Sequence, residues 1–108
     1  MIEWTDELIA RAASFSRAVL SYPGADGYPV ALPMSFTFDT SQHQFTLSKP
    51  PHHPDISRPD RVSMTLVGYT PEQGGRTPYL VFYGQLADRR DAWLFTPSRV
   101  LLSPWGRR

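Results

Sequence analysis

Cysteine is absent from this chain, which removes disulfides, thiolate metal sites and cysteine nucleophiles from consideration. Lysine is nearly absent: Lys49 is the only one, and the other ten basic residues are arginine. The two signs of charge almost cancel, to a formal +1, so no overall field draws in nucleic acid or an acidic membrane. No apolar stretch is long enough to cross a bilayer. The N-terminus sets Glu3, Asp6 and Glu7 around a short apolar stripe, not a basic region followed by an apolar run. Catalytic signatures are missing too. There is no G-x-S-x-G elbow or HExxH pair, and Gly74-Gly75 has no helix or lysine after it. We therefore expect a soluble cytoplasmic protein that binds neither nucleic acid nor membrane and carries no metal.

What remains is apolar and aromatic. At 108 residues, with 41% hydrophobic and 13% aromatic content, the chain suits one packed domain over residues 1–108. Residues 1–15 read as an N-terminal helix. Trp4, Leu8, Ile9, Ala12 and Phe15 fall on one face, and Thr5 is suited to the cap. Asp6 and Glu7 put negative charge where the helix dipole favours it. Trp4, just before the cap, is placed to staple onto Ile9.

From residue 16 the period changes to two. RAVLSY at 17–22 reads as a strand broken by the turn cluster PGADG. GYPVALPMSFTFD at 27–39 sets Tyr28, Val30, Leu32, Met34, Phe36 and Phe38 on one side. On the other side lie Pro29, Ala31, Pro33, Ser35, Thr37 and Asp39. FTLSK at 45–49 alternates again, with Phe45 and Leu47 opposed to Thr46 and Ser48. PPHHPDISRPD is too rich in proline for a strand and holds at most one turn of helix near residues 55–58. RVSMTLVGYT carries Val62, Met64 and Leu66 inward, PEQGGRTP is a loop, and YLVFYGQLAD is a further strand. RRDAW turns briefly, and SRVLLSPW closes the chain with a short strand. The expected fold is mainly β: a six-stranded antiparallel split barrel with an N-terminal helix and one or two short helical turns.

Two prolines on one face of the 27–39 strand are unusual, because proline cannot donate to the ladder and belongs at edges, first positions and bulges. Two readings follow. Either Pro29 starts the strand and Pro33 marks a bulge, or the small face of Ala31, Pro33 and Ser35 leaves room for a flat ligand against the main chain.

In order and spacing these segments resemble the pyridoxamine 5'-phosphate oxidase-like, FMN-binding split-barrel family. AVLSYPGADGYPVALPMSF is similar to its first hairpin, FTLSK to its third strand, DISRPDRVSMTL to its short helix and next strand. YLVFYGQLAD is similar to the strand with a central glycine, and FTPSRVLLSPWG to the closing segment. The resemblance implies a homodimer binding FMN, or a deazaflavin, at the subunit interface, and acting on a small-molecule substrate as an oxidoreductase. It implies backbone contacts from Leu32, Pro33, Met34 and Ser35. It also implies a phosphate grip from Thr46, Leu47, Ser48 and Lys49, with Arg58 nearby and Trp105 against the flavin. The usual phosphate lysine aligns with His52, three residues after Lys49. Either an insertion brings Lys49 to the phosphate or His52 replaces the lysine. A cofactor-free or haem-binding barrel, or a pure interaction module, is the alternative. No acid or base for catalysis is identifiable.

Overall fold

The computed structural model describes residues 2–68 and 79–102. One helix, α1 (Asp6–Ser14), precedes six strands: β1 (Arg17–Pro23), β2 (Pro29–Asp39), β3 (Gln44–Ser48), β4 (Val62–Val67), β5 (Tyr79–Asp88) and β6 (Ala92–Leu102). They close into an antiparallel barrel in the order β1-β2-β3-β6-β5-β4. The period of two puts Ala18, Leu20, Phe45, Leu47, Met64, Leu66, Leu80, Phe82 and Phe95 inside, with essentially no exposure. Aromatic rings of β2, β3, β5 and β6 meet around Phe45, whose centroid lies 4.6 Å from that of Phe38 and 5.3 Å from that of Phe82. Such tilted and edge-on pairs add to the burial of their area.

The helix plugs one part of this core. Thr5 caps it by accepting from the Leu8 amide at 3.1 Å, and Leu8 and Ala12 are buried against the barrel. Trp4 stacks on His43 at 4.5 Å, on Phe82 at 5.7 Å and on Phe38 at 5.8 Å. His43 holds φ at +56° where the chain turns from β2 into β3. In that turn Asp39 accepts from the amides of Gln42 and Ser41 and from the Ser41 hydroxyl. These bonds, the Gln42 amide foremost, hold its carboxyl below the usual carboxylate range.

Three expectations are corrected. Residues 55–58 contain no helical turn; the prolines keep the segment irregular, and its closure is a single Arg61 amide bond to Arg58 O at 2.9 Å. The last strand is long rather than short, starting at Ala92, so Trp93 is a core strand residue instead of part of a turn, and Phe95 is buried in the same strand. Tyr28 lies in the hairpin loop, 73% exposed, and does not belong to the inward row of β2. The PEQGGRTP loop lies outside the described residues.

Candidate functional site: the one-sided half of β2

β2 changes partner midway. Residues 29–35 pair only with β1, from Pro23↔Pro29 to Arg17↔Ser35, and residues 36–39 pair only with β3. Among the described residues, the main-chain groups along 29–35 that face away from β1 therefore have no strand to bond. This settles the two prolines. Pro29 opens the strand, and Pro33 sits on an edge with no register shift beside it, so the missing donor leaves no gap in a ladder. No bulge is involved. The same holds for Pro23, whose strand pairs with β4 only over residues 17–21, and for Pro97, beyond the 92–95 stretch that pairs with β3.

Beside that open edge the outer wall is flat. Ala31, Pro33 and Ser35 all point outward and are exposed. Ser35 and Ser48 each lie one residue past the Phe36↔Leu47 pair, and Thr46 faces Thr37 on the same outer side. The structure thus brings together Pro33, Ser35, Thr46 and Ser48, four of the sequence-derived site residues, as a shelf of short side chains and hydroxyls. Leu32, Met34 and Leu47 alternate into the core, so only their main chain can reach the shelf.

The charged candidates have other contacts or lie apart from it. The Lys49 ammonium is engaged by the Asp88 carboxylate and donates to Arg89 O at 2.9 Å. His52 is exposed in the following loop, and its neighbour His53 is the one that packs, edge-on to Trp93 at 4.8 Å. Arg58 forks onto Asp60 at 3.2 and 3.3 Å, which holds the Asp60 carboxyl below its ordinary range. Its loop is pinned to β5 by Leu86 N donating to Pro59 O at 2.9 Å, and β5 does not neighbour β2. Trp105 lies outside the described residues.

One cation was missed. Arg17 pairs directly with Ser35 and is exposed on the same outer face. The signal for it was the hairpin register: a loop of residues 24–28 sets 17 opposite 35.

No protein-family model matches the sequence, and no curated protein matches it either. Solved structures do. A 5-nitroimidazole antibiotic resistance protein, provisionally so assigned, from Bacteroides thetaiotaomicron aligns with 92% of this chain and 82% of its own, at TM-score 0.66 and 12% identity. A provisionally assigned pyridoxamine 5'-phosphate oxidase from Listeria innocua aligns over 90% and 93%, at 0.67 and 16%. Campylobacter jejuni ChuZ aligns over 89% of this chain at 0.58 and 13%, and this chain spans about half of ChuZ. These neighbours are pyridoxamine 5'-phosphate oxidase-like split barrels. At such identities the likeness is one of fold.

Proposed function

We propose that the chain is a flavin-binding split barrel, taking FMN or a deazaflavin on the β2 shelf at the interface of a homodimer, and serving as a small oxidoreductase. The observation that carries this reading is the one-sided stretch of β2 with its flat, exposed face of Ala31, Pro33 and Ser35. A planar conjugated ring needs a wall without protruding side chains and backbone donors and acceptors at its edge; an unpaired strand edge supplies both. The hydroxyls of Ser35, Thr46 and Ser48 are placed to donate to a phosphate tail, and Arg17 adds the positive charge. Lys49 joins this grip by exchanging Asp88 for the phosphate. When bound, the flavin would supply the hydride chemistry, and the chain would orient it and exclude water.

A second copy of the chain fits the same wall. Register places Pro33, Val19, Thr65, Val81 and Leu101 in one outward row across five strands, and Leu101 is 52% exposed. Burying that row between two copies would enclose the shelf as well. The haem reading rests on the same shelf, which suits any flat conjugated ring.

The visible spectrum of the purified protein, alone and after incubation with FMN or haemin, tests the reading. Flavin absorption with quenched FMN fluorescence supports it. A haem-type band selects the alternative, and a protein that ignores both reduces it to a cofactor-free module. Ser35→Trp should abolish binding while leaving the unfolding midpoint in place. If Lys49→Ala leaves FMN affinity unchanged while Arg17→Gln lowers it, the tail's charge partner is Arg17. Sedimentation velocity checks the dimer.

A further inference from the structure

Away from the shelf, β6 carries the one register shift between β5 and β6: Tyr83 pairs with Arg99 and Gly84 with Pro97, leaving Ser98 as an extra residue. Bulges re-aim side chains and recur beside binding sites. Here the bulge turns both Ser98 and Arg99 outward to an exposed position, and the Ser98 hydroxyl donates to Tyr83 O at 3.1 Å. It also demands glycine at 84, where a Cβ would come within 2.2 Å of Thr96 O. The result is a depression of about 560 Å³ between the start of β4, the middle of β5 and the bulged part of β6.

Two arginines line it, Arg61 and Arg99. Among the described residues neither takes part in an ion pair; the pairs formed are Lys49 with Asp88 and Arg58 with Asp60. The acid in the lining, Asp60, is hydrogen-bonded by Arg58 and also feels the charge of Arg61; with Arg61 and Arg99 against this single acid, the lining is net positive. The Arg99 guanidinium carbon lies over the Tyr83 ring, 4.7 Å from its centroid, a cation–π contact that restrains the side chain. Arg61 is fixed through its main chain by the bond to Arg58 O and by the docking of Pro59 on Leu86. Ser63 and Gln85 add a hydroxyl and an amide.

We propose that this depression binds the oxyanion head, phosphate monoester or carboxylate, of a small organic molecule. Two arginines lining one concavity, with the hydroxyl of Ser63 and the amide of Gln85 beside them, form the kind of donor set that such a head requires. The volume lies within the usual range for small-molecule sites and exceeds what a bare phosphate fills. The depression shares no residue with the β2 shelf.

The test is a titration of the full-length, isotopically labelled protein followed by amide NMR. The probes are sodium phosphate, phenyl phosphate, sodium acetate and sodium benzoate, each against sodium chloride at matched ionic strength. Saturable shifts centred on Ser63, Gln85 and Ser98, with phenyl phosphate or benzoate binding more tightly than its bare head group, are expected. The phosphate and carboxylate arms identify the preferred head. Arg99→Gln and Arg61→Gln should each weaken binding about tenfold, and the double variant should remove it with the rest of the spectrum unchanged. Shifts no larger than those with chloride, or binding that survives in the double variant, would overturn the proposal. So would a depression filled by a second copy of the chain in the dimer.

Discussion

β2 and β5 lie in the same barrel and meet opposite demands. From Leu80 to Gly84, β5 is paired on both sides, with β4 and with β6, so each residue there must satisfy two ladders. Among the described residues, none of β2 is paired on both sides. β5 accordingly contains no proline and tolerates only glycine where the bulge brings the β6 main chain close, whereas β2 holds two prolines without disturbing its register. The difference separates two uses of backbone. Saturated backbone fixes the wall and shapes the depression beside it, and unsaturated backbone is available to something from outside.

Substitutions can break that comparison. Gly84→Val, which drives side-chain atoms into the Thr96 and Pro97 main chain, should destabilise the fold by about 4 kcal/mol or more, read as a loss of folded protein or a large fall in urea midpoint. Val81→Pro removes a donor from a doubly paired strand and should lower stability by about 3 kcal/mol. A Val81→Pro protein as stable as the parent would show that β5 is not saturated as described.

Tyr22→Phe removes the hydroxyl that donates to Pro54 O at 2.6 Å and ties the proline-rich loop to β1, and should lower stability by about 1 kcal/mol. Burial, helped by the charge of Asp55, raises the Tyr22 pKa. The folded state therefore favours the protonated phenol, and its contribution, full below pH about 10, is lost above it. At the acid end Asp39 runs the other way. Its folded carboxyl is lowered, so its stabilisation is present above the ordinary carboxylate range and is lost as pH falls through it. Asp39→Asn should flatten that part of the stability–pH curve. The smallest effect belongs to Pro33→Ala. The added N–H meets an open edge, so thermal stability should shift by less than about 1 kcal/mol.

The strand pattern was legible because a period of two survives without knowledge of partners. Val62, Met64 and Leu66, or Phe45 and Leu47, point inward whatever strand lies beside them. The doubtful places were those where tertiary pairing decides. Ala92 and Trp93 look like part of a turn until β3 and β5 are seen on either side of Trp93. The prolines suggested a flat face or a bulge, and the sequence held no sign that β2 would switch partners beside them. For the site, alternation alone puts the hydroxyls at 35, 46 and 48 on the outer face, and the family resemblance is what singled them out. The ion pairs that occupy Lys49 and Arg58 involve carboxylates 39 and two residues away, and the first of these is invisible without the fold. Arg17 was overlooked because its role depends on the hairpin register. The depression at the bulge was overlooked because an unpaired Ser98 leaves no mark on the local pattern.

The handover between Ser35 and Phe36 has a mechanical consequence. Peeling β1 away from β2 need not break any rung that joins β2 to β3, since the two sets of rungs share no residue. The strand behaves like the spine of a book whose covers open separately. A guest wedged against one cover can therefore widen it while the aromatic cluster around Phe45, bound into the other, stays shut.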